Sequence, residues 1–389
     1  MHTESPPAVT IVAHDVGAVG GMERVLAELA LGLRGLGYAV TVIARTCELP
    51  ADAGVTFHRV RGPARPFLLA YPWFMVMGSL AVRRWRRGVV QATGAIVLNR
   101  VDVIAVHYCH RVGVVTPSRT SWLFRIHIKA TGILARLGER LRYRASASTE
   151  FVCVSEGVAE EIHDFYPGLS DRVTTIHNGV DTERFAPGAH AEQAQAMRDM
   201  LGIAEGRLVA VFAGGEWERK GLRPAIEALA EGVDWDLVVA GPGDEKRYRE
   251  LADSLGVGAA VHWLGEVSDI ENVFAMADAL VLPSSYETFS LVTFEAAASG
   301  LAVLATAVNG VRELIEDGRN GFVITRQPRM IAERLRWLAA DPSLRLRLGR
   351  AARESALQFS WKEMVSKHDV LYRRLADSQG ASEREPSER

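Results

Sequence analysis

The chain has 389 residues, 48% of them hydrophobic and 24% charged, with a formal net charge of −2. At roughly 100–200 residues per domain this is a two-domain globular chain, and a disordered, collagen-like or coiled-coil protein is excluded for its bulk. The near-neutral balance gives no global basic excess for nucleic acid.

Three cysteines, Cys47, Cys109 and Cys153, are odd in number and far apart. That argues against a disulfide framework and for a reducing compartment, here the cytoplasm. The opening MHTESPPAVTIVAH lacks the basic-then-apolar pattern of a secretory signal.

Residues 9–13 (VTIVA) read as a buried strand, residues 23–36 as an amphipathic helix closed by Gly37, and residues 40–44 (VTVIA) as the next strand, which is one βαβ unit. The longest uncharged apolar stretch, residues 67–82, contains Pro72. At ~1.5 Å per residue it falls short of the ~30 Å hydrocarbon core, so no transmembrane helix is expected. Further strands are expected at residues 101–106, 151–154 and 173–176. A second series follows: a strand at 208–212, a helix at 222–231, and strands at 236–240, 261–264, 279–282, 301–305 and 321–324. Two such series, parted near residues 185–205, predict an α/β fold of two Rossmann-like domains facing across a cleft. The polar end from residue 377 reads as a disordered tail.

Charge is unevenly spread. Residues 1–185 hold 21 Lys+Arg against 16 Asp+Glu, and the remainder holds 24 against 31. The basic residues crowd two places: residues 83–87 (RRWRR), and residues 111–144, where Arg111, Arg119, Arg125, Lys129, Arg136, Arg140, Arg142 and Arg144 face one acid, Glu139. Nearby Trp73, Phe74, Met75, Trp85, Trp122 and Phe124 supply large apolar groups. The plain reading is a solvated helix face; the sharper one is a surface for anionic lipid or an anionic acceptor.

Ligands of open α/β sheets bind beyond the carboxyl ends of the strands, so the chemistry is sought in the loops that follow them. The first such loop carries Gly17, Gly20 and Gly21 before a helix, where backbone N–H groups suit a phosphate. It lacks the spacing of a dinucleotide fingerprint. The loop GGEWERKG (214–221) sets Arg219 and Lys220 at the start of the expected helix, where they oppose its dipole unless a pyrophosphate binds them. The segment PSSYETFSLVTFEAAASG (283–300) puts Glu287 before a helix and Glu295 within it. The amides of Ser290, Leu291 and Val292 at that helix start suit phosphate, and a buried carboxylate suits sugar or ribose hydroxyls. His107-Tyr108-Cys109-His110 follows a strand and offers imidazoles to a phosphate or hydroxyl; with no second ligand cluster, zinc is not expected.

In this order the motifs resemble the family-4 retaining glycosyltransferases of the GT-B fold. GGMER at residue 20, VSEGVAEEI and IHNGVDTERFAP, FAGGEWERKG, the E-x7-E stretch containing Glu287 and Glu295, NGVRELIEDGRNGFVI and FSWKEM carry the likeness over nearly the whole chain. The resemblance implies an acceptor-binding domain at residues 1–188, a nucleotide-sugar domain at 189–358, and a terminal helix at 359–376 returning to the first domain. It implies a UDP-sugar or GDP-sugar donor without metal, its diphosphate held by Gly20, Gly21, Arg219, Lys220 and the amides of residues 290–292.

Glu295 would then hold ribose, Glu287 the donor sugar, and residues 264–267, Val267 included, the base. His110 is the counterpart of the family's active-site histidine, with His107 competing for the assignment. Ser290 stands where glycine is common. The basic and aromatic clusters of residues 83–87 and 111–144 point to an acceptor that is lipid-linked or otherwise anionic, in envelope polysaccharide or glycolipid assembly at the inner membrane face. The alternatives are an NDP-sugar 2-epimerase of the same fold and a transferase acting on a soluble secondary metabolite.

Overall fold

Near-continuous runs of Val, Ile and Ala make strands that can be buried on both faces, which is the condition for a parallel sheet covered by helices. Such runs occur in two series. The computed structural model describes residues 7–18, 20–113, 122–144 and 149–384. It divides into a unit of residues 1–179 with 361–389 and a unit of residues 180–360.

The first unit contains β1 (Ala8–Val12), β2 (Asp15–Val16), β3 (Ala39–Ala44), β4 (Thr46–Cys47), β5 (Thr56–Arg59), β6 (Val89–Thr93), β7 (Val103–Val106), β8 (Glu150–Cys153) and β9 (Val173–Thr175). Its helices are α1 (Gly21–Gly35), α2 (Phe67–Trp85), α3 (Trp122–Arg142) and α4 (Glu156–Phe165). Seven strands form one sheet in the order β5-β3-β1-β6-β7-β8-β9, parallel throughout. The short β2 and β4 pair with each other beyond the ends of β1 and β3.

The last helix of the chain (Trp361–Arg384) packs on this unit. Gly32 of α1 lets Val365 approach so closely that a Cβ there would lie 2.4 Å from it. Tyr38 donates to Asp369 at 2.6 Å, and Tyr372 donates to the buried Gln91 of β6 at 2.7 Å.

The second unit contains α5 (Ala191–Met200), β10 (Leu208–Ala213), α6 (Trp217–Lys220), α7 (Leu222–Leu229), β11 (Trp235–Ala240), α8 (Glu245–Ser254), β12 (Val261–Gly265), α9 (Ile270–Ala275) and β13 (Ala279–Leu282). It continues with α10 (Leu291–Ala298), β14 (Ala302–Thr306), α11 (Val311–Leu314), β15 (Phe322–Ile324), α12 (Pro328–Ala340) and α13 (Pro342–Ala356). Its parallel sheet runs β12-β11-β10-β13-β14-β15. Strand order therefore reverses beside β1 in the first unit and beside β10 in the second. Such switch points open crevices for ligands at the carboxyl ends of the strands.

Four differences from the sequence reading have physical causes. The second unit begins at Val180 rather than residue 189, because Val180 donates to the Phe359 carbonyl at 2.7 Å and Arg353 donates to the Phe185 carbonyl at 2.9 Å. The last helix extends through Arg384, past residue 376; residues 385–389 lie outside the described residues. Phe74, grouped above with the lipid-facing aromatics, is buried with its ring edge-on to His14, centroids 4.5 Å apart. The stretch near residues 185–205 that parts the two series contains the helix α5.

Candidate active site

The loops after β10 and β13 meet at the switch point of the second unit. After β10 the chain turns through Gly214 (φ +111°) and Glu216 (φ +52°) into α6, then breaks at Gly221 (φ +85°) before α7. A Cβ at Gly221 would lie 2.2 Å from the Pro283 carbonyl oxygen, so only glycine lets the two loops lie this close. Arg219 and Lys220 consequently end α6 rather than begin a long helix. They also directly precede the amino end of α7, as the sequence led one to expect, so they oppose the dipole of that helix unless an anion binds them.

Both basic side chains converge on one carboxylate oxygen. Glu287 Oε1 accepts from Lys220 Nζ at 2.9 Å and from Ser284 Oγ at 2.8 Å, with Arg219 Nη1 at 3.2 Å. Glu287 is only 7% exposed, and Lys220 is buried beside it. Burial opposes ionisation of Glu287, but Lys220 and then Arg219 hold its carboxyl below the usual glutamate range. Arg219 also donates to the Tyr286 carbonyl and, through Nε and Nη2, to Glu216 at 3.0 and 2.8 Å. The Glu216 side chain is 70% exposed, which makes it a weak partner that an incoming anion can replace. Ser284 is fixed from behind, its carbonyl accepting from Thr306 Oγ1 at 2.6 Å. Sequence reasoning passed over this residue; its only signal is its place three residues before Glu287.

The second loop enters α10 at Ser290 (φ +69°), whose hydroxyl is bonded to that of Thr293 at 2.8 Å. Glu216 and Ser290 are the non-glycine residues with positive φ among the described residues. Both lie in this site, where strain of about 1–3 kcal/mol per residue tends to concentrate. The departure from glycine at position 290 thus keeps the glycine-like backbone. The first amides of α10, at Leu291 and Val292, have no acceptor within the helix. Glu295 is buried in α10 ahead of Ala296, Ala297 and Ala298, all shielded from solvent. Val267 lies beyond β12, two strands from β10, half-buried.

In the first unit, Gly20 (φ +92°) caps α1 and Gly21 begins it. The Glu23 carboxylate folds back so closely that a Cβ on Gly20 would lie 2.2 Å from it. The two candidate histidines differ sharply. Burial, with His368 adding to it, pushes His107 down to about 4, so it is neutral at neutral pH. His110 is 39% exposed, and its Nδ1 lies 2.8 Å from Oε1 of Glu139, a carboxylate 1% exposed that also accepts from the His110 amide at 2.9 Å and from Tyr166 at 2.9 Å. The pair sets Nδ1–H toward the carboxylate and leaves Nε2 as the outward nitrogen. Glu139 was visible in the sequence only as the one acid of a basic run. Cys109 is buried, and among the described residues no group of three or more His, Cys, Asp or Glu gathers to hold a metal.

Leu69, Trp73, Val76 and Leu80 fall on one face of α2 and are exposed, as are Ile126, Ile133, Leu137 and Leu141 on α3. Arg83, Arg84, Arg86, Arg87, Lys129 and Arg140 are exposed around them. Arg119, and the side chains of Trp122, Phe124 and Arg125, lie outside the described residues. No helix among the described residues is long and apolar enough to cross a membrane.

Comparison with known proteins gives this geometry a family. Residues 19–184 match the model for Glycosyltransferase Family 4, and residues 193–355 match that for Glycosyl transferases group 1. An uncharacterized glycosyltransferase of Methanocaldococcus jannaschii is 27% identical over 93% of this chain and 96% of its own length. The D-inositol 3-phosphate glycosyltransferase of Streptomyces avermitilis is 32% identical over 58% of this chain, a match that spans about half (52%) of that relative.

Among solved structures, WaaG, a glycosyltransferase involved in lipopolysaccharide biosynthesis, superposes with a TM-score of 0.79 at 21% identity, covering 94% of this chain and 99% of its own. Anabaena HepE in complex with UDP-glucose gives 0.71 at 19% identity, covering 96% and 99%. At these identities the two structures establish the shared fold alone. The family models and the nearly full-length relative settle the rest: this chain belongs to the family-4 glycosyltransferases of the GT-B fold.

Proposed function

We propose that the chain moves a sugar from a UDP-sugar or GDP-sugar to an acceptor hydroxyl with retention of configuration and without a metal. The observation that carries this reading is the buried Lys220–Glu287–Arg219 cluster at the switch point of the second unit. Two cations share one carboxylate there, and the exposed Glu216 is the remaining local acid. With Glu216 displaced from Arg219, one positive charge is left uncompensated, and it favours the diphosphate as it leaves. In the proposed arrangement the diphosphate displaces Glu216 from Arg219 and takes hydrogen bonds from the Leu291 and Val292 amides. Glu295 holds ribose, and the chain at Val267 meets the base.

The bond from the anomeric carbon to the diphosphate oxygen breaks as the acceptor oxygen bonds to the same face. The acceptor proton passes to a departing phosphate oxygen. Glu287 positions donor hydroxyls and does not attack the sugar. His110, oriented by Glu139, supplies Nε2 to the sugar or phosphate. The test is product analysis after incubation with labelled UDP- and GDP-sugars in the presence of a chelator. An α-linked product is expected; a β-linked product, or activity only with restored divalent metal, overturns the reading.

The acceptor is proposed to be lipid-linked, in envelope polysaccharide or glycolipid assembly, with the enzyme peripheral on the inner membrane face. The exposed apolar stripes of α2 and α3, rimmed by arginine and lysine, favour this over a soluble acceptor. Co-sedimentation with phosphatidylglycerol vesicles at low salt is expected, and is expected to fall at least fivefold in Leu69→Glu/Leu80→Glu. Equal recovery of both proteins in the supernatant contradicts it.

A further inference from the structure

The parallel sheet of the first unit ends on a second charged cluster, remote in sequence from Lys220 and Glu287. A cavity of ≈ 350 Å³ lies where β1, β3 and β5 finish, lined by Asp15, Arg45, Thr46, Arg59 and Arg61 among others. Part of its charge is balanced. Arg45 is paired with Asp15, whose other oxygen accepts from Thr46 Oγ1 at 2.7 Å. Arg45 Nη1 reaches the Ala64 carbonyl at 3.4 Å, while its Nε–H is buried without an acceptor.

Arg59 and Arg61 are exposed and have no carboxylate partner among the described residues. Their backbone is nevertheless held in place. The Val60 amide donates to the Ala44 carbonyl at 2.8 Å, and Trp73 Nε1 donates to the Arg61 carbonyl at 2.9 Å. Gly62 lies flat against that indole, where a Cβ would be 2.1 Å from Nε1.

Three guanidinium groups around one carboxylate leave two uncompensated positive charges on a fixed wall. Planar guanidinium forks match the oxygens of phosphate and carboxylate. A carboxylate has two oxygens and fills one fork, whereas a phosphate monoester has three terminal oxygens and nearly two charges, enough for both. The volume sits at the low end of the ~300–1,000 Å³ usual for ligand sites, and the carboxyl ends of parallel strands are where such sheets bind ligands. We infer that this cavity binds a phosphate group, carried by a small molecule or a lipid headgroup, through Arg59 and Arg61, with Arg45, Asp15 and Thr46 fixing its other side. The inference does not rest on the nucleotide-sugar reading, whose charged cluster of Arg219, Lys220 and Glu287 lies in the other unit.

The test compares the full chain with Arg59→Ala/Arg61→Ala, whose exposed substitutions are expected to leave the melting temperature unchanged. Glucose 6-phosphate is titrated by calorimetry, and phosphatidic acid vesicles, whose headgroup is a phosphate monoester, are assayed by co-sedimentation against phosphatidylcholine. Binding of at least one probe is expected to weaken tenfold or more in the double variant while UDP affinity is unchanged. Weakening with glucose 6-phosphate assigns a soluble phosphate ester; weakening with vesicles alone assigns a lipid headgroup. If both probes bind the two proteins equally, or bind neither, the inference is overturned.

Discussion

Lys220→Ala is expected to lower kcat by about 10²–10³, the range found when one preorganised donor to a developing anion is removed. It is also expected to lower stability, because Glu287 is buried and its Oε1 loses one of three donors. Removing one member of a buried pair costs about 3–5 kcal/mol when nothing replaces it. Here Arg219 and Ser284 remain, so the lower end of that range is expected. A second substitution separates chemistry from folding. In Lys220→Ala/Glu287→Gln the buried charge is gone, and the loss should be smaller than the sum of the two single losses by about 1–3 kcal/mol. Activity should stay at the level of the worse single variant. Urea unfolding and steady-state kinetics on the four proteins measure both. Additive stabilities would mean that the two side chains do not interact as the 2.9 Å distance requires.

Gly221→Ala is expected to remove about 2–5 kcal/mol and to abolish donor binding. Two effects add. An L-residue at φ +85° costs about 1–2 kcal/mol, and forcing a methyl group into a filled site costs about 1–3 kcal/mol. The obstacle is the Pro283 backbone, 2.2 Å from the added carbon, which cannot turn away as a side chain would. Relief requires the loops after β10 and β13 to part, which pulls Lys220 and Arg219 off Glu287. Gly232→Ala is the control, since Gly232 has φ +79° but nothing within 4 Å of the added carbon. It should lose only the backbone part, about 1–2 kcal/mol, and keep nucleotide binding. Equal denaturant midpoints for the two variants would show that the contact with Pro283 carries no weight.

Much of the fold was legible because buried parallel strands read as short apolar runs; residues 279–282 coincide with β13, and most other expected strands fall within one or two residues of their bounds. The strands that escaped notice have clear reasons. In β6 the buried Gln91 interrupts the apolar run, and its partner, Tyr372, is 281 residues away. β5, Thr56-Phe57-His58-Arg59, is an edge strand whose side chains are largely exposed, so it shows no apolar run.

At the site, sequence reasoning found the loops and their basic and acidic residues. It began the helix at residue 222, where α7 starts, but gave no sign of the separate short helix α6 that Arg219 and Lys220 end. Nor could it link Glu139 to His110, because that bond depends on where α3 lies against the strand end. Phe74 was misplaced for a related reason: on a helix apolar all round, sequence does not say which face His14 will cover.

The most direct measurement is calorimetric titration of the purified chain with UDP, GDP and dTDP in the presence of a chelator, repeated with Lys220→Ala. The account predicts that either UDP or GDP binds with a micromolar dissociation constant, and that this affinity falls at least tenfold in the variant. Binding of none of the three by the folded chain, or equal affinity in the variant, would contradict the assignment of the Lys220–Glu287 cluster to the donor diphosphate.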